Sequence, residues 1–133
     1  MNTVKDYQNV INGKVIPSSS GNKMDSYNPA TGKVWATIPC STVEDVDATV
    51  HAARTALPDW SALLASERAG YLRRIGDAIA QYGDELAELE TKDNGWVIRE
   101  TKYGLMPVLA NMWYDAAAAA IHVGSKGETV QLG

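Results

Sequence analysis

The sequence predicts an α+β chain, an N-terminal β-hairpin layer followed by helices. Three observations predict it. Short β-branched runs punctuated by Asn-Gly and Pro-Ala-Thr-Gly turns fill the first forty residues. Apolar residues then recur at spacings of three and four from about Val43 to His122. Residues 128–132 finally return to strand character after a Gly-Ser-Lys-Gly break.

Residues 9–16 read NVINGKVI. Asn12-Gly13 suits the positive φ angles of a type I′ turn, so a hairpin is expected there. The polar tract 17–22 reads as loop, and residues 23–27 as an extended run ended by Asn28-Pro29. After the turn, residues 33–39 alternate Val34, Ala36 and Ile38 against Lys33, Trp35 and Thr37, the period of a half-buried strand closed by Pro39.

Ser41-Thr42-Val43-Glu44 reads as a capping box opening a helix, with Ser41 as the cap. Val43, Val46, Val50, Ala53 and Leu57 mark its expected buried face, and Pro58 its expected stop. A second helical stretch starts near Ser66 and Glu67. Leu72, Ile75, Ile79, Tyr82, Leu86 and Leu89 carry its rhythm almost to Asp93, with Gly83 dividing it and Asn94-Gly95 ending it. Residues 96–103 suit a short helix, Gly104 a break, and residues 106–122 a final helix that tolerates Pro107 in its first turn. The terminal strand 128–132 has no antiparallel partner next to it in sequence, which reads as an incomplete unit.

Composition narrows the function classes. At 133 residues, 45% hydrophobic and 21% charged, the chain is of single-domain size and ordinary globular make-up. A formal charge of -4 with scattered Lys and Arg argues against nucleic acid as a partner. The longest apolar run, residues 116–121, is too short to span a bilayer, and the N-terminus lacks a signal-peptide apolar core, so no membrane role is expected. The single cysteine, Cys40, needs no oxidising compartment, which makes the cytoplasm the expected location.

The segments INGKVI, YNPATGKVWATIP, EDVDATVHAARTALPDW, SERAGYLRRIGDAIAQYGDELAELETKDNG and GETVQLG, in that order, resemble the opening part of the NAD(P)-dependent aldehyde dehydrogenases. The likeness covers about residues 8–133. It departs from the usual pattern after Asn94-Gly95, where Trp96-Val97 replaces a commoner Lys-Pro. The resemblance implies that residues 1–126 are the hairpin and helical part of an α/β, Rossmann-like dinucleotide-binding domain. Residues 127–133 would begin a bridging strand that joins subunits in a homo-oligomer. It also implies that the nucleophilic cysteine, the glutamate base and the groups holding NAD or NADP lie beyond Gly133. The expected function is that of the N-terminal portion of an enzyme oxidising an aldehyde to a carboxylic acid. This portion alone would be inactive and bind no cofactor. The alternative is a non-catalytic helical interaction module that self-associates, or binds a full-length relative, through its C-terminal strand.

No residue is expected to be catalytic or cofactor-binding. Cys40 lies between Pro39 and Ser41 with no histidine close in sequence, and reads as an inert or partly buried thiol. His51 and His122 read as structural or solvated, and Glu85, Glu88, Glu90 and Asp93 as a solvated acidic face. In some aldehyde dehydrogenases the Asp of the Asp-Asn-Gly turn, matched by Asp93, resembles a ligand for a structural monovalent cation. Backbone oxygens matched by Ser26 and Tyr27 complete that set. Met106, Pro107 and Val108 open the helix that, by similarity, borders the mouth of the aldehyde channel, although plain core is the simpler account of such a stripe.

Overall fold

A computed structural model describes residues 4–122. The expected strand at 128–132, and the whole segment 127–133, lie outside the described residues. Five strands come first: β1 (Lys5–Asp6), β2 (Asn9–Ile11), β3 (Lys14–Ile16), β4 (Lys23–Asn28) and β5 (Lys33–Pro39). Helices follow: α1 (Val43–Ala62), α2 (Ala65–Gln81), α3 (Gly83–Asn94), the short α4 (Ile98–Glu100), a π-turn over Thr101–Leu105, and α5 (Met106–His122).

β2 and β3 form the antiparallel hairpin that Asn12-Gly13 predicts, with φ of 51° and 71° at those two residues and Val10 opposite Val15. The larger sheet has the order β1-β5-β4. β4 and β5 are antiparallel around the Asn28–Gly32 turn, where the N–H groups of Thr31 and Gly32 both donate to the Asn28 carbonyl. β1 runs parallel to β5, pairing Lys5 with Ala36 and Asp6 with Thr37. Nothing in the sequence announces this pairing, because a two-residue strand has no periodicity to read.

Three helix boundaries differ from expectation. The cap of α1 is Thr42, not Ser41: its backbone is extended and its Oγ1 accepts the Asp45 N–H, while Asp45 Oδ2 accepts the Thr42 N–H at 2.9 Å. The box is therefore Thr-x-x-Asp, one register later. Ser41 instead donates its hydroxyl to Asn9 Oδ1 at 3.0 Å. α1 also runs through Pro58 to Ala62. Proline removes one helical hydrogen bond, but Trp60 in the next turn packs edge-on against Tyr71 of α2, with centroids 5.5 Å apart. That contact requires the extra turn. Finally, Gly104 does not break the chain. It sits in the widened π-turn, where the Met106 N–H reaches back five residues to the Thr101 carbonyl, and the helix continues through Pro107 into α5.

The division expected at Gly83 falls at Tyr82, with Gly83 opening α3, and Gly95, at φ 80°, does end α3. α2 packs chiefly on α5. Ala69, Ala87 and Ala117 are fully buried, while Leu72, Ile79, Leu86 and Leu89 are only half-buried. The core of the described residues is thus a seam of small side chains, not the large apolar stripe the periodicity marks. Tyr114 lies across Gly76, where an added Cβ would meet the ring at 2.6 Å, and its hydroxyl donates to Asp77 at 2.9 Å. On α1 the expected buried face is open: Val43 is 72%, Val46 54% and Val50 40% exposed.

Candidate functional site

The sheet and α3 meet at one polar point. Gly95 lies against the Asn28–Gly32 turn so closely that a Cβ there would stand 2.6 Å from Pro29 Cγ. This approach lays the end of α3 on β4 and brings Asp93 to Ser26, 67 residues away in sequence. Ser26 Oγ donates to Asp93 Oδ1 at 2.5 Å. The same Oγ accepts the indole N–H of Trp35 at 3.0 Å, and Trp35 packs edge-on against Tyr7 at 6.1 Å. The indole therefore fixes the Ser26 hydroxyl toward the carboxylate. Between Ser26 and Tyr27 the register of β4 against β5 shifts, a bulge that locally disrupts the ladder and re-aims its groups.

The cation set implied by the resemblance is the Asp93 carboxylate with the main-chain oxygens of Ser26 and Tyr27, whereas the contact between Ser26 and Asp93 runs through the serine hydroxyl. Tyr27 stands at the bulge with its ring exposed. A carboxylate and a hydroxyl beside an irregular strand are hard oxygen donors, the type that suits a monovalent or other hard cation. Beside them opens a groove of about 540 Å³ lined by Tyr7, Trp35, Ile79, Leu86, Leu89 and Leu109. A second groove of about 500 Å³ continues along Tyr71, Ile75, Ala78 and Tyr82, sharing Ile79, Leu86 and Leu89 with the first.

The three residues expected at the channel mouth differ in exposure. Met106 is buried against Gly83, whereas Pro107 and Val108 face outward. Cys40 is half-buried at the end of β5, with its carbonyl accepting the Ser18 and Ser20 hydroxyls at 2.6 and 3.2 Å. His51 and His122 are both exposed. In the acidic group, Glu85 and Glu88 are exposed, while Glu90 accepts the Asn94 side-chain amide.

The sequence gives no warning of the densest polar cluster. Asp45 is 8% exposed, and its carboxylate takes the Thr42 N–H, the Ser19 N–H at 3.1 Å and the Ser18 hydroxyl at 3.0 Å. Its carboxyl is held below the usual carboxylate range, chiefly by the Thr42 N–H. Burial pushes the other way, and Ser19 and Ser18 add to the lowering. Ser18-Ser19-Ser20 reads in sequence only as loop. A second lowered carboxyl, Asp6, is held by Lys23 at 2.6 Å and by the Thr37 hydroxyl at 2.7 Å.

Comparison with known proteins completes the site description. The model of the aldehyde dehydrogenase family matches residues 15–132. The chain is 37% identical over 115 residues to 2-aminomuconic semialdehyde dehydrogenase of Bos taurus, covering 86% of this chain and 23% of that protein. The Homo sapiens protein of the same name is 39% identical over 115 residues, with the same coverage. Among solved structures, the NAD-dependent aldehyde dehydrogenase of Sinorhizobium meliloti superposes with a TM-score of 0.84 at 29% identity. That match covers 89% of this chain and 24% of the other. Betaine aldehyde dehydrogenase of Staphylococcus aureus, solved with NAD+, gives 0.80 at 32% identity, covering 84% and 23%. The chain thus spans about a quarter of the length of the relatives it matches.

Proposed function

This chain belongs to the aldehyde dehydrogenase family, and on that premise we propose that it is the N-terminal portion of an NAD(P)-dependent enzyme that oxidises an aldehyde to a carboxylic acid. One observation carries the proposal. The family match spans residues 15–132, nearly the whole chain, while the match to a relative named as a semialdehyde dehydrogenase takes up only 23% of that relative's length.

The chemistry sets what such a portion can contribute. Aldehyde oxidation of this kind needs a thiolate to add to the carbonyl, donors for the oxyanion, a nicotinamide to take hydride, and a base to activate the deacylating water. The bound nicotinamide supplies the hydride acceptor. Cys40 has no such role in this reading: its surroundings are serine hydroxyls directed at its own carbonyl. The part assigned to these residues is structural. The ribbon and α3 hold the sheet to the helical unit through Ser26, Asp93 and Trp35, and α2 and α5 form the wall behind them. In the same reading Ser26, Tyr27 and Asp93 take a structural monovalent cation. Pro107 and Val108 border the substrate entrance, with Met106 supporting them from inside.

The isolated chain is expected to give no aldehyde-dependent reduction of NAD or NADP. Turnover by purified residues 1–133 that survives Cys40→Ser would place the chemistry within this chain and overturn the assignment.

Association through copies of the chain belongs to the same proposal, supported by the two joined apolar grooves on α2 and α3. Sedimentation is expected to show species larger than a monomer. A clean monomer at high concentration would count against a homo-oligomer.

A further inference from the structure

We infer that Asn12 is a self-modification site of this chain: the Gly13 nitrogen cyclises onto its side chain and water opens the ring, while the second Asn-Gly pair, Asn94-Gly95, is locked against the same reaction. The inference does not depend on the proposed function.

The chemistry is intramolecular. The Gly13 nitrogen bonds to Asn12 Cγ and gives up its proton, the side-chain nitrogen leaves as ammonia, and a cyclic succinimide remains. Water then opens the ring at either carbonyl, leaving an aspartate or an isoaspartyl linkage at position 12. A following glycine favours ring closure because it has no Cβ to obstruct the close approach. The sequence therefore offers the reaction at both pairs.

Local structure separates them. Asn12 is exposed at the hairpin tip, and a Cβ built on Gly13 would meet nothing within 4 Å. The ladder pairs Ile11 with Lys14, so both turn residues stand outside it. Loop tips of this kind open at little cost. At the other pair every reacting group is engaged. The Asn94 side-chain amide donates to Glu90 Oε1 at 2.5 Å, its side-chain carbonyl accepts the Trp96 N–H at 2.8 Å, and the Gly95 N–H donates to the Thr91 carbonyl at 3.0 Å. Cyclisation there must first release these bonds and the last turn of α3. All the partners lie between Glu90 and Trp96, so the contrast holds whatever else packs against the chain.

The consequence falls on the hairpin. An isoaspartyl linkage adds a main-chain carbon to a turn whose length sets Val10 opposite Val15. β2 also carries Asn9, whose Oδ1 accepts the Ser41 hydroxyl, so the tie between the hairpin and the start of α1 loosens with it.

The test is peptide mapping by mass spectrometry of chain aged in mildly alkaline buffer, with and without denaturant. In the native chain Asn12 should convert at least roughly tenfold faster than Asn94, which corresponds to about 1.4 kcal/mol of local protection and is the scale of several hydrogen bonds held closed. In denaturant the two rates should converge. Glu90→Ala should speed conversion at Asn94 and leave Asn12 as it was. The isolated isoaspartyl form should lose hydrogen-exchange protection in β2 and β3, whereas Asn12→Asp, which brings the charge without the added carbon, should keep it. Any of four results would overturn the inference: equal native rates at the two asparagines, a native ratio no different from that in denaturant, an Asn94 rate unmoved by Glu90→Ala, or a hairpin as well protected in the isoaspartyl form as in Asn12→Asp.

Discussion

Around α2 and α5 the buried residues are alanines, a glycine and Met106, with Tyr114 laid across Gly76. Around α1 the buried residue is an aspartate, and the valines stand open. The two helices carry comparable three-four apolar patterns in sequence, yet one is held by close packing and the other by donors on a carboxylate. Apolar periodicity identifies a face fit to be covered; it does not say that the cover lies within the same hundred residues. The half-exposed stripe of α1 and the grooves on α2 and α3 are surfaces of that kind.

The largest effect should come where packing governs. Gly76→Val places branched carbon where even a Cβ would lie 2.6 Å from Tyr114, so about 3 kcal/mol of destabilisation is expected from overpacking. The gain of roughly half a kcal/mol or less in helix propensity on replacing glycine by valine does not offset it. Chemical denaturation checks this. A neutral or stabilised variant would mean that α5 does not rest on α2 as described.

A smaller effect is expected at the polar end. Thr42→Ala removes the hydroxyl that caps α1 and should cost about 1 kcal/mol, with the loss appearing as faster exchange in the first turns of α1 rather than in α5. Ser41→Ala should cost less, because Ser41 is not the cap. Equal costs for the two would restore the Ser41 register.

The smallest effect is a dependence on acid. The Asp45 carboxyl is lowered in the folded chain, so its contribution is fully present above the unfolded value of about pH 4. It is lost as pH falls through the lower folded value. The gap in thermal midpoint between the unaltered chain and Asp45→Asn should therefore be constant near neutrality and close below that pH. A gap that widens on acidification would show that the carboxylate is not stabilised by its donors.

These comparisons also show what the sequence made legible. Asn12-Gly13 and Asn94-Gly95 were readable because a positive φ needs particular residues, and both turns occur where those pairs stand. Pro58 does not stop α1, and the Trp60–Tyr71 contact in the turn beyond it is one that no local pattern contains. Thr42 and Ser41 are chemically alike, so choosing the cap required knowing that Asn9 takes the Ser41 hydroxyl. The Ser26–Asp93 hydrogen bond has no periodic signal, since the residues are 67 apart, and the family resemblance relates the two only as cation ligands through the Ser26 main chain. The Asp45 cluster leaves no mark in the sequence: three serines in a loop look the same whether or not a carboxylate gathers them.

The proposed division of labour assigns the cofactor-holding groups to polypeptide beyond this chain, and calorimetric titration of purified residues 1–133 with NAD and with NADP tests that assignment most directly. No saturable heat with either nucleotide is the expected result. Stoichiometric, tight binding of either one by this polypeptide unaided would contradict it.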